Sequence, residues 1–183
     1  MQLHIRERGS PLRIAAIVVA AGLIVGCFVR LHPVTNALVA AAGCLVLVAV
    51  TVIDLERRIV PNRIILPALA TALVLRTALD LSINWALAAV CAGGLLFIVA
   101  VVYPAGMGMG DVKLTAFLGA WLGWQSLTAL LLGLLASFPA AVAILTLQGR
   151  VGRKVGLPFA PFLALGGVIA LFAGPAIIRW YRG

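Results

Sequence analysis

Seven apolar stretches, each divided from the next by only a few polar residues, constrain this chain more than anything else in it. They run approximately over Leu12 to Leu31, Val34 to Ile53, Ile64 to Leu79, Trp85 to Tyr103, Val112 to Trp124, Ser126 to Leu147 and Leu157 to Ile178. A helix that crosses a bilayer needs about 20 mainly apolar residues to match the hydrocarbon thickness. With 64% of its 183 residues hydrophobic and 10% charged, the chain has too little polar surface to clothe a water-soluble domain. The expected fold is therefore all-α: a polytopic transmembrane helix bundle of about six to seven spans, with residues 1–183 forming one integral membrane domain. The third and fifth stretches are short for a straight crossing. Val112 to Trp124 best fits a re-entrant, tilted or partly extramembrane helix, and six spans would remain without it.

A formal net charge of +9 raises the question of nucleic acid, but the 14 basic residues lie in short groups between apolar runs and form no basic tract. Their distribution sets topology instead. With the N-terminus in the cytoplasm and seven alternating spans, ten basic residues fall inside: Arg6, Arg8, Arg13, Arg57, Arg58, Arg63, Lys113, Arg150, Arg153 and Lys154. Arg30, Arg179 and Arg182 fall outside, and Arg76 lies within a span. That asymmetry follows the positive-inside rule. Residues 1–11 then form a basic cytoplasmic arm, and the first apolar run reads as an uncleaved span rather than a signal peptide, because further membrane-length segments follow at once. Cys27, Cys44 and Cys91 stand singly in apolar stretches without zinc-site spacing, and all three are expected to act as small core hydrophobes.

Only five carboxylates exist: Glu7, Asp54, Glu56, Asp80 and Asp111. Glu7 and Glu56 sit among arginines and read as solvated charges. Asp80 follows Arg76 by four residues, an offset suited to a local ion pair near the outer interface. Asp54 closes the second apolar run, and Asp111 follows Gly106-Met107-Gly108-Met109-Gly110 and opens the fifth. Either could be structural, Asp111 as a helix-start carboxylate and Asp54 as a partner of Arg57 or Arg58. Charged groups at membrane depth are costly, however, and a functional reading stands beside the structural one for both. The alternating glycines lack the G-x-x-x-x-G-K-[ST] pattern of a phosphate loop; they give the backbone room to turn and let another chain approach.

The segment Gly108-Met109-Gly110-Asp111-Val112-Lys113-Leu114 resembles the G-x-G-D-x-K-L element of the type IV prepilin peptidases, which are GxGD-class aspartyl proteases. Asp54 with Val60-Pro61-Asn62 downstream is similar to that family's first aspartate and I-P-N. Leu157-Pro158-Phe159-Ala160-Pro161-Phe162-Leu163-Ala164-Leu165-Gly166 is similar to its P-F-G-P-x-L-A-L-G, with Ala160 in place of the usual glycine. The three elements occur in the family's order and cover roughly residues 50–166.

The resemblance implies a catalytic pair, Asp54 and Asp111, with Gly108, Gly110, Lys113, Pro61, Asn62, Pro158 and Pro161 as supporting positions. It implies no cofactor and no metal. The substrate it implies is a prepilin or pseudopilin, cut where a short basic leader meets an apolar helix, at the cytoplasmic face of a bacterial inner membrane; pilus-assembly or secretion machinery is the further partner it suggests. Larger members carry paired C-x-x-C motifs linked to methylation of the new N-terminus. None occurs in this sequence, so the expectation is a peptidase-only form, like those of tight-adherence pilus systems. Lys113 reads either as an interfacial anchor or as a group that tunes Asp111 or contacts substrate. The rival classes are a small proton- or cation-coupled transporter using the same aspartates, and a noncatalytic subunit of an export machine.

Overall fold

A computed structural model describes residues 3–103, 108–152 and 158–182. Gly106 and Met107 of the glycine-rich segment, and Leu157 of the proline-rich one, lie outside the described residues. Among the described residues the regular structure is helical: α1 (Leu3–Arg30), α2 (Val34–Arg57), α3 (Asn62–Asp80), α4 (Asn84–Val102), α5 (Met109–Leu122), α6 (Gln125–Gly152) and α7 (Ala160–Arg182). These correspond to the seven apolar stretches. Among the described residues five helices, α1 to α4 and α6, contain segments long and apolar enough to cross a membrane. Residues 3–11, expected as an arm, continue α1 as helix.

The third helix is longer than its apolar run. Pro61 caps it in an extended conformation, and its carbonyl accepts the amides of Ile64 and Ile65, so polar Asn62 and Arg63 join the first turn and bring α3 to 19 residues. The fifth helix stays short. Fourteen residues at about 1.5 Å each span only ~21 Å, less than the hydrocarbon thickness. It survives because it is the centre of the bundle: from Val112 to Leu122 nearly every side chain is buried, and α2, α3, α4, α6 and α7 all pack on it. A helix apolar on every side belongs in such a position.

Small residues permit the close packing. Carbonyl and backbone atoms of Ala88 and Ala89 press directly on Gly119 where α4 meets α5, and Ala129 of α6 presses on Gly166 of α7, so neither glycine has room for a Cβ. The buried Trp121 indole donates to the Val39 carbonyl over 3.0 Å, tying α5 to α2 and satisfying the ring N–H. On α4, Ala88, Ala89, Ala92, Gly93 and Leu96 take the inner face. Cys91 therefore points outward and is exposed, which corrects its expected place in the core. Cys27 and Cys44 are buried as expected, their sulfurs 4.0 Å apart.

Alternation of the helices brings the ends of α2, α4 and α6 and the starts of α3, α5 and α7 to one end of the bundle. Arg13 of α1 joins that end through a 3.3 Å ion pair with Glu56. The opposite end gathers Asn36, Arg76 and Trp85. There Arg76 is buried, donates to Asn36 Oδ1 at 3.2 Å, and lies 4.7 Å from the centre of the Trp85 ring. The expected Arg76 to Asp80 ion pair is not formed; Asp80 is exposed, and the guanidinium turns inward to an amide and an aromatic face instead.

Candidate active site

The last turn of α2 delivers Asp54 inward. The helix stops at Arg57, and Arg58 takes a left-handed conformation with φ 55°, its amide closing on the Asp54 carbonyl at 2.7 Å. Only 6% of Asp54 is exposed, so its carboxyl is a protein-facing group and not a surface charge. Its Oδ2 has no hydrogen-bond partner among the described residues. The expected alternative, a salt bridge to Arg57 or Arg58, is absent within 4 Å; Arg58 acts on the carboxyl only through its charge. The backbone amide that acts on the carboxyl is that of Ala160, at the start of α7.

That amide is free because of where it sits. The Phe159 carbonyl accepts the amides of Phe162 and Leu163, which makes Ala160 the first residue of the helix, and first-turn amides have no intrahelical acceptor. Pro161 fits the next position because its missing N–H would be unpaired there anyway. Ala160 is wholly buried, and Pro158 lies half-buried just before the turn.

Asp111 arrives on the first turn of α5. Gly108 caps this helix in an extended conformation, and the Asp111 amide returns to the Gly108 carbonyl at 3.1 Å. Thr115 Oγ1 donates to the Asp111 carbonyl at 2.9 Å, fixing the turn. Burial pushes the Asp111 carboxyl up to about 6; the negative charge of Asp54 adds to the rise, and the Gly108 amide opposes it. The two aspartates are thus close enough to feel each other's charge. They sit on neighbouring antiparallel helices, α2 and α5, which Trp121 and Val39 hold together at the other end.

The start of α3 braces the same turn. Gly110 lies against Val60 so closely that an added Cβ would sit 2.8 Å from the Val60 Cβ. Lys113 Nζ donates to Asn62 Oδ1 at 2.9 Å. Asp54, Pro61, Asn62, Gly108, Gly110, Asp111, Lys113, Pro158 and Pro161 therefore gather at one end of the bundle. Asp80 lies at the other end, and Glu56 is engaged with Arg13. Among the described residues no three His, Cys, Asp or Glu side chains form a group able to hold a metal ion. Sequence reading does not reveal the Ala160 amide, because a backbone donor carries no residue signature. Val60 is adjacent to the motif Pro61 but shows its role only through contact with Gly110.

Comparison with known proteins bears on what this constellation is. Residues 41–146 match the type IV leader peptidase family, a stretch that includes both aspartates. A protein of Aeromonas hydrophila named "Prepilin leader peptidase/N-methyltransferase" is 36% identical over 167 residues, covering 87% of this chain and 57% of that protein. The protein of the same name from Bacillus subtilis (strain 168) is 36% identical over 179 residues, covering 94% of this chain and 68% of the relative. A third, from Burkholderia pseudomallei (strain K96243), is 32% identical over 167 residues, covering 85% and 52%. The chain spans about half the length of several of these relatives. No solved structure matches it. With the match covering residues 41–146, both aspartates included, and with relatives 32–36% identical over most of its length, the chain belongs to the type IV leader peptidase family.

Proposed function

We propose that this chain is a membrane-embedded aspartyl endopeptidase that removes the short basic leader of prepilins or pseudopilins at the cytoplasmic membrane face, with Asp54 and Asp111 activating water. The observation that carries this reading is the convergence of two carboxyls at one end of the bundle, Asp54 buried and Asp111 half-buried, close enough that the charge of Asp54 helps hold Asp111 protonated. Two carboxyls sharing a site favour one proton between them. The ionised member takes a proton from water as the oxygen adds to the scissile carbonyl. The protonated member donates a hydrogen bond to the developing oxyanion; as the C–N bond breaks, a proton passes to the departing amine. One water is consumed, and the products are the leader carboxylate and a free amine on the mature chain. The proton is assigned to the pair, since coupled carboxyls titrate together.

The surroundings suit that chemistry. The unpartnered Oδ2 of Asp54 is an available acceptor, the Ala160 amide steadies the carboxyl, and the brace from Val60 and Asn62 sets the turn that carries Asp111. The charge asymmetry of the sequence supports a cytoplasmic position for this end. An apolar substrate helix could then stay in lipid while its leader meets the pair.

The test is cleavage of a prepilin from the same cell by purified protein in detergent, with no ion gradient. Asp54→Asn and Asp111→Asn should each lose at least about 100-fold, the scale of general acid-base catalysis. Glu56→Gln and Asp80→Asn should retain activity. Full cleavage by either Asp→Asn variant would refute the pair, and gradient-driven ion flux in proteoliposomes without cleavage would favour transport. Labelling of a cysteine at position 57 from the periplasm would overturn the orientation.

A further inference from the structure

An apolar groove runs up the bundle from the aspartate end between α1, α2 and α7. It encloses about 310 Å³. Its walls include Ala15 and Val19 on α1, Thr51 and Leu55 on α2, and Pro161 and Leu165 on α7. Beyond Leu23 and Val168, α1 and α7 come together, the ring of Phe172 lying 3.4 Å from where a Cβ of Gly26 would be. At the aspartate end Arg13 ties α1 to α2 through its 3.3 Å ion pair with Glu56.

We infer that this groove seats the apolar helix of the prepilin substrate and thereby sets where its leader meets Asp54. The inference rests on the peptidase reading and deepens it. Its first support is continuity. Leu47 and Thr51 line the groove and precede Asp54 by seven and three residues, so all three share one stripe of α2. The α7 wall begins at Pro161, next to Ala160, whose amide faces the Asp54 carboxyl. A segment lying in the groove ends at the carboxyl.

The second support is size. From Leu12 to Leu23 the α1 wall is about 16 Å long, three helical turns. A helix of that length and about 10 Å across fills on the order of 1,200 Å³, so the groove takes one apolar face and leaves the rest in lipid. The apolar groove of about 330 Å³ between α2 and α3 lacks this continuity: its α2 wall stops at Val46, two turns short of Asp54. The larger outer groove between α1 and α2 shares Val48 and Val52 with this one and reaches Pro61, but its further α2 wall of Leu45, Ala49 and Ile53 lies on the side turned away from Asp54, and Arg13, Glu56 and Arg57 put charge in its lining where an apolar helix would lie.

Ala15 and Leu165 are exposed to the groove, so Trp at either site adds bulk there rather than in the core. Ala15→Trp and Leu165→Trp should raise KM for full-length prepilin by at least about tenfold. Both variants should cleave a peptide spanning the leader junction but lacking the apolar helix at the wild-type rate, and Ile14→Trp, on the outer face of α1, should behave as wild type with both substrates. Unchanged KM for prepilin, or equal loss on both substrates, overturns the groove as the docking site. If wild type cleaves neither substrate, the peptidase reading itself fails and takes the inference with it. Independently of cleavage, a benzophenone side chain at position 165 of the Asp111→Asn protein should capture the prepilin through its apolar helix. Capture of lipid alone, or capture of the prepilin helix from position 71 in the α2 to α3 groove instead, overturns the inference.

Discussion

Lys113 Nζ donates a 2.9 Å hydrogen bond to Asn62 Oδ1, joining the first turn of α5 to the first turn of α3 beside the aspartate pair. The contact is exposed, so its share of stability is small, about 1 kcal/mol. Its value is orientation: it holds the turn that carries Asp111. Asn62→Ala and Lys113→Met should each lower kcat about tenfold with KM little changed, and the double variant should be no worse than either single one. Additive losses in that cycle would show that the two residues act separately.

Gly110 tests the same brace from the other side. An Ala there would put its Cβ 2.8 Å from the Val60 Cβ, while otherwise favouring the helix. Overpacking of this kind costs about 1–3 kcal/mol, which here should appear as displacement of Asp111 and a fall in kcat of about 10- to 100-fold. Val60→Ala in the Gly110→Ala protein should restore much of the rate. Failure of rescue, with the fold intact by thermal melting, would place the need for glycine elsewhere.

The pH dependence follows from Asp111, which burial and then the charge of Asp54 raise to about 6. In the folded protein this carboxyl holds its proton where the unfolded chain has lost it. Its contribution to stability is therefore full below the ordinary aspartate range and is lost as pH rises through about 6. The singly protonated pair is depleted over the same range, so kcat/KM should decline on the alkaline side with an apparent pKa near that value. In Asp54→Asn the charge contribution vanishes while burial remains, and the Asp111 titration, followed through the pH dependence of melting, should move down. A titration that does not move in Asp54→Asn would mean that the carboxyls do not communicate.

At the far end Arg76 is expected to matter for the fold and not for the chemistry. It is buried against the Trp85 ring and bonded to Asn36. Arg76→Met should lower the melting temperature in detergent, by the equivalent of about 1–2 kcal/mol. Asp80→Asn should change it less, because Asp80 is exposed and acts on Arg76 only through its charge, with no ion pair within 4 Å. The kcat of folded Arg76→Met should match wild type; a fall in kcat without a fall in melting temperature would contradict this division.

How much was legible beforehand differs between the helices and their contacts. Hydrocarbon thickness imposes a length on each apolar run, and so the seven helices and their order can be read along the chain. Charge in such a chain is scarce, so Asp54 and Asp111 stand out from the five carboxylates by position and by motif. The first-turn residues of α3 were harder to place, because Asn62 and Arg63 are polar and join the helix only through the Pro61 cap.

Faces and partners were not legible. A helix that is apolar all round, as α4 and α5 are, carries no periodic signal of which side turns inward, and Cys91 on the outside and α5 at the centre follow from packing alone. Arg76 had an acidic residue at the right local spacing and took Asn36 and Trp85 instead, because only the folded bundle brings those groups to it. At the aspartate end the same holds. Linear order names the residues, but Asn62 meets Lys113, Val60 meets Gly110, and the Ala160 amide meets Asp54 only because alternating helices return distant segments to one end of the bundle. Length and apolarity act locally along the chain, whereas those contacts depend on which helix packs beside which, and that is settled in three dimensions by the fit of small residues against backbone.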